Sequence, residues 1–158
     1  MKEMFTVQEK DMETLAQKVV HLLYTRETSK AKVVLLDGDL GSGKTTFTKE
    51  LASLIGVDKD IVNSPTFILK KEYDAEHAVF KKLIHIDAYR FNTPQEGRVL
   101  RIEDDLGESD TIVAIEWPTK MKYIKPDLEI FFTIVDDDTR EVTLSYEDLY
   151  KDIKYEEK

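Results

Sequence analysis

Residues 35–51, LLDGDLGSGKTTFTKEL, leave a chain few ways to fold. They continue an unbroken apolar run from Val33 to Leu36 that ends in Asp37 and Gly38, which is how a strand buried on both faces reads. Glycines follow at 38, 41 and 43; then Phe47, Leu51, Leu54 and Ile55 recur at helical spacing until Gly56, which is placed to cap the helix. Strand, glycine loop and helix in direct succession predict an α/β chain whose central strand lies in a sheet covered by helices.

The loop also has a chemistry. Gly38, Gly43, Lys44 and Thr45 satisfy G-x-x-x-x-G-K-[ST], with Asp39, Leu40, Gly41 and Ser42 inside the pattern and Thr46 directly after it. Glycines let successive backbone N–H groups turn inward around phosphate oxygens, Lys44 supplies a point charge to the β and γ phosphates, and the Thr45 hydroxyl suits magnesium. The helix beginning at Thr45 points its positive dipole end at the same anion. The pattern predicts a bound nucleotide but leaves open whether its phosphate is hydrolysed, transferred or merely held.

Hydrolysis needs magnesium held on the far side of the phosphates and a water oriented in line. In a parallel sheet, acids at the C-terminal ends of neighbouring strands can reach that position. Two apolar runs end in this way, LIHID at Asp87 and TIVAIE at Glu116, and both acids are assigned to the magnesium and water region. The plainer alternative is a strand that stops at a solvated acid. Residues 63–67, NSPTF, form a proline-braced lead-in to a strand that suits a loop sensing γ-phosphate, with Thr66 offering its hydroxyl or backbone, or else form a simple turn. His85 reads as a packed strand histidine rather than a base. Trp117, directly after Glu116, either covers the site or belongs to the core.

Elsewhere, Met12, Leu15, Val19, Leu22 and Leu23 predict an amphipathic helix over residues 11–23. Residues 66–73 and 79–87 read as a hairpin around the polar turn 74–77. Residues 94–106 are expected to carry one or two short helices, and residues 127–146 read as two strands joined by an Asp-rich turn. The chain is expected to form one domain over residues 1–150 with a polar tail, 151–158, that continues a short frayed helix.

Composition narrows the setting. With 32 acids against 23 lysines and arginines the net charge is −9, which disfavours direct binding to DNA or RNA. There is no cysteine, no apolar run long enough to span a bilayer, and no basic-then-apolar start of the kind a signal peptide shows. A cytoplasmic chain without membrane or DNA contact is the expectation.

Taken together, GDLGSGKTTFTKE, SPTF at residues 64–67, HIDAYR at residues 85–90 and IEWP at residues 115–118 resemble the TsaE (YjeE) family in order and spacing over most of the chain. The resemblance implies a three-layer P-loop NTPase fold with a mixed, largely parallel central sheet flanked by helices and antiparallel edge strands. It implies an ATPase, weak alone, that binds ATP and Mg2+ and serves the threonylcarbamoyl (t6A) modification of adenosine 37 in tRNA. Such a subunit acts on the TsaB–TsaD complex, meets tRNA only through it, and does not transfer the group itself. Residue by residue, Lys44 and Thr45 carry over as phosphate and magnesium contacts, Asp87 and Glu116 as the magnesium and hydrolysis acids, Thr66 as a nucleotide-responsive switch, and Trp117 as the family's tryptophan. Ser42 and Glu50 depart from the family's usual small residues.

Two other readings share the loop. In a small-molecule kinase, Arg98 and Arg101 would close on the transferred phosphate, although Asp104 and Asp105 follow closely and could pair with them on a helix face. In a nonhydrolytic adaptor, nucleotide would only gate assembly. A GTPase lacks its base-reading N-K-x-D here. Arg90 reads as a structural or interface charge, and residues 6–11 and 136–140 are the candidates for the adenine pocket.

Overall fold

The computed structural model describes residues 1–26, 29–63, 69–91, 93, 95–121 and 123–147. Seven strands form one sheet in the order β1-β7-β6-β2-β5-β4-β3. They are β1 (Lys2–Val7), β2 (Lys32–Gly38), β3 (Lys70–Asp74), β4 (Lys82–Asp87), β5 (Thr111–Glu116), β6 (Leu128–Ile134) and β7 (Arg140–Ser145). The central strands β6, β2, β5 and β4 pair in parallel, while β1–β7, β6–β7 and β3–β4 are antiparallel. This is the mixed, largely parallel sheet that the family resemblance implies.

Period-two alternation sorts the central strands onto two faces. Val34 and Leu36 of β2, Ile112 and Ala114 of β5 and Leu83 of β4 join one core with helices α1 (Met12–Tyr24) and α2 (Lys44–Leu54). Val33, Leu35, Ile84, Ile86, Val113 and Ile115 point the other way, onto a core that includes Ile102 of α4 (Ile102–Leu106), which follows α3 (Gln95–Val99). Helix α2 is anchored by Phe47, Leu51 and Ala52, all fully buried; Phe47 meets Phe132 of β6 with ring centroids 5.9 Å apart. Burying each such large side chain contributes about 1.5–3 kcal/mol, so the helix is held down by its apolar face rather than by propensity.

The elements depart from expectation in three places. Strand β1 has no counterpart among the predicted elements. It is an edge strand, and Lys2, Met4 and Thr6 alternate outward, so only half of its short pattern is apolar. Strand β3 begins at Lys70, directly after Leu69, whose φ of 71° turns the chain out of the extended region, and β4 begins at Lys82 rather than at residue 79. Asp105 pairs with Lys70 at 2.6 Å, a lysine of β3 rather than either nearby arginine. Predictions for residues 64–68, for Pro94 and for the tail beyond residue 147 lie outside the described residues. Among the described residues no helix is long and apolar enough to cross a membrane.

Candidate functional site

The loop joins β2 to α2 at the C-terminal edge of the parallel strands, where open α/β sheets form ligand crevices. Gly38 and Gly43 are required by geometry. A Cβ on Gly38 would lie 2.6 Å from both the Phe132 carbonyl and Ser42 Oγ, and Gly43 precedes α2 with φ 109°, a left-handed conformation costly for other residues. No side chain caps the N-terminus of α2, so its first-turn amides are left to face an anion.

Lys44 is 6% exposed and folds back over the loop. Its Nζ donates to the carbonyl oxygens of Gly38 and Asp39 and sits 3.7 Å from the centre of the Trp117 indole. Burial pulls its pKa below the ordinary lysine value, opposed by the carboxylates of Glu116, Asp37, Asp87 and Asp39. Trp117 adopts φ 55° and packs its ring against Tyr89 at 5.0 Å, while its backbone N–H donates to the Leu36 carbonyl at 3.2 Å.

Strand register sets the two acids. Asp87 is the partner of Glu116 across β4–β5, and Glu116 is in turn the partner of Leu36 across β5–β2, two residues before the loop begins. Both are buried, at 4% and 2% exposure. Asp87 Oδ1 accepts the Tyr89 N–H at 2.9 Å. Glu116 Oε1 lies 3.2 Å from the Thr45 hydroxyl, and Oε2 lies 2.8 Å from Nε2 of the fully buried His85. A hydroxyl and two carboxylates are hard oxygen donors of the kind magnesium takes. Among the described residues no group of three or more histidines, cysteines and acids forms a cage by itself. The set therefore suits a cation that completes its shell with waters and phosphate oxygens, and the acids crowded around Lys44 leave room for added positive charge.

Two cavities meet at the loop. One, of about 400 Å³, is lined by loop residues together with Asp87, Tyr89, Glu116 and Trp117. The other, of about 710 Å³, shares Gly41, Gly43 and Thr46 with it and is walled by Gln8, Lys10, Asp137 and Arg140. Arg140 Nη2 donates to the Gly41 carbonyl at 3.1 Å across 99 residues of sequence. The two segments singled out for adenine thus contribute to one cavity beside the phosphate loop.

Of the residues singled out in the sequence, Gly41 to Thr46, Leu40, Asp87, Glu116 and Trp117 line the smaller cavity. Gly38 and Asp39 contribute their carbonyls to Lys44. Thr66 lies outside the described residues. Neither Arg98 nor Arg101 lines the loop cavities; Arg98 lines a separate one with Tyr123 and Lys125. Sequence reasoning reached Arg140 only as the end of the candidate adenine segment, assigned no chemical role to Tyr89 and treated His85 as packing. Its parity with Asp87 on β4, which sends both side chains to the loop face, was the available signal for His85.

Comparison with known proteins converges on one family. The sequence model described as "Threonylcarbamoyl adenosine biosynthesis protein TsaE" matches residues 6–142. A tRNA threonylcarbamoyladenosine biosynthesis protein TsaE of Haemophilus influenzae is 37% identical over 129 residues, covering 81% of this chain and 78% of that one. One of Aquifex aeolicus is 37% identical over 145 residues, covering 91% and 96%. The crystal structure of Bacillus subtilis YdiB superposes with a TM-score of 0.66 at 27% identity, covering 91% of this chain and 84% of that one.

Proposed function

The chain belongs to the TsaE family of tRNA threonylcarbamoyladenosine biosynthesis, and from that premise we propose that it is the pathway's magnesium-dependent ATPase subunit, cytoplasmic and slow on its own. It acts on the TsaB–TsaD complex, and through that complex on tRNA, without transferring the threonylcarbamoyl group. The observation that carries the reading is the contact between the Thr45 hydroxyl and Glu116 at 3.2 Å, which ties the phosphate loop to an acid on the neighbouring strand.

The residues divide the work. Loop amides from Asp39 to Thr46 and the N-terminus of α2 hold the phosphates. Lys44 leaves the Gly38 and Asp39 carbonyls and the Trp117 face to take β- and γ-phosphate oxygens, an exchange of neutral acceptors for charged ones that strengthens its hydrogen bonds. Thr45, Glu116 and Asp87 would hold magnesium, one acid through a water; bound there, the ion supplies neutralisation of the charge on the β- and γ-phosphate oxygens. Asp87 and Glu116, abreast on adjacent strands, orient the water that attacks the γ-phosphorus in line with the departing ADP oxygen. The cavity walled by Gln8, Lys10 and Arg140 supports seating adenine and ribose there. Thr66 is proposed as the switch residue that responds to γ-phosphate.

The test is a pull-down from native cytosol with and without ATP, followed by ATPase assay of the recovered assembly. Recovery of TsaB and TsaD with turnover above that of the free chain is expected. A phosphorylated small-molecule product would make the chain a kinase, and nucleotide-dependent assembly without turnover would make the site a gate.

A further inference from the structure

Glu116 is held from two sides, and only the Thr45 contact is explained by the phosphate loop. The other is the hydrogen bond of 2.8 Å from His85 Nε2 to Oε2, between side chains 0% and 3% exposed. Strand geometry makes the contact. His85 and Glu116 project to the same face of neighbouring parallel strands, one pleat apart, and the register partner of His85 is Ala114, whose small side chain lets the imidazole lean along β5 toward the acid.

We propose that His85 is a positioning residue for Glu116, fixing one carboxylate oxygen so that the other is presented to Thr45 and to the divalent cation; this rests on the ATPase reading above. An ionised carboxylate only accepts, so Nε2 carries the hydrogen of this bond and Nδ1 is left to its own surroundings. That nitrogen is buried with no hydrogen-bond partner among the described residues. Stranding a buried polar atom is unfavourable, by about 1–3 kcal/mol in mutational series, and an apolar side chain would fill the same space without it. Packing alone therefore argues against histidine here, and the bond to Glu116 is what the ring contributes. Residues that orient metal-holding side chains in this way typically carry about 10–100-fold in metal affinity or activity.

Manganese serves as the probe, its uptake read by electron paramagnetic resonance on the chain saturated with a nonhydrolysable ATP analogue. His85→Leu should weaken Mn2+ uptake and slow turnover about 10-fold or more, while leaving nucleotide affinity in EDTA within about 2-fold of wild type. His85→Gln, whose amide nitrogen reaches the same oxygen, should restore most of the loss, whereas the shorter His85→Asn should not. In a Glu116→Gln background His85→Leu should have little further effect on Mn2+. Wild-type Mn2+ affinity in His85→Leu, equal affinities in the Gln and Asn variants, or an undiminished His85 effect without the Glu116 charge would each overturn the proposal. The Gln and Asn pair carries the test if the leucine variant does not fold. A wild-type chain that takes up no Mn2+ with nucleotide would instead overturn the ATPase reading, and this inference with it.

Discussion

Asp87→Asn separates a metal-handling role from a structural one, because the two move different quantities. The substitution keeps the shape of the side chain and removes one charge. The amide oxygen it introduces can still accept the Tyr89 N–H that Asp87 takes at 2.9 Å, so the losses are the margin of a charged over a neutral acceptor, about 1 kcal/mol, and a share of the carboxylate attraction that acts on Lys44. Against it stands relief of a like-charge pair, since Asp87 faces Glu116 directly across β4–β5; cross-strand pairs are worth about 0.2–1 kcal/mol. Nearly cancelling terms leave the ligand-free stability within about 1 kcal/mol of wild type, a melting shift of no more than about 4 °C for a chain of this size. Nucleotide stabilisation behaves otherwise. Saturation at 100 times Kd adds about 2.7 kcal/mol, roughly 5–11 °C by the same scaling, and the part that depends on magnesium should disappear in the variant. Melting curves in buffer, in ATP with EDTA and in Mg-ATP measure all of this in one series. The reasoning is refuted if the ligand-free melting point drops by more than about 8 °C, or if magnesium adds as much to the variant as to wild type.

Three further outcomes follow from particular contacts. Lys44→Ala removes the ammonium now resting on the Gly38 and Asp39 carbonyls, and the melting shift produced by Mg-ATP should vanish; a shift of wild-type size would show that Lys44 does not hold phosphate. Arg140→Gln loosens the wall of the larger cavity and should weaken ATP and ADP alike by about 3–10-fold, near the 1 kcal/mol of one hydrogen bond, while tripolyphosphate binding stays unchanged. Calorimetry with the three ligands decides it, and equal weakening of tripolyphosphate would place Arg140 at the phosphates instead. The Lys82–Glu108 bridge at 2.9 Å raises Lys82 above 10.5 and lowers Glu108 below 4.5, each chiefly through the bond to the other. Its contribution is full between those ordinary values, and fades as pH falls through the depressed Glu108 pKa or rises through the elevated Lys82 pKa. Glu108 is 43% exposed, so solvent screening keeps the bridge to about 0.5 kcal/mol or less. Lys82→Met should lower the melting point by about 1–2 °C at pH 7 and by less at pH 3, and an equal drop at both would exclude the bridge as the cause.

Sequence by itself determined the local parts of this protein. The glycine pattern dictated a loop that only such residues can form, with Gly38 pressed against the Phe132 carbonyl and Gly43 in a left-handed turn. Apolar periodicity marked α1, α2 and the buried strands, and the acids that close β4 and β5 were legible as candidates because a strand end is a local event. Tertiary structure decided what these parts meet. Strand β1 becomes a strand only by pairing with β7 at the far end of the chain, and its half-polar edge pattern does not announce it. The parallel register, set by distant strands, puts Asp87 beside Glu116 and both beside the loop. Contacts that assemble the surroundings of the loop span the chain: Arg140 to Gly41, Thr45 to Glu116, His85 to Glu116 and Trp117 over Lys44. Periodicity reports which face of an element is buried, whereas the partner across that face depends on strand order and register, which follow from the packing of the whole sheet.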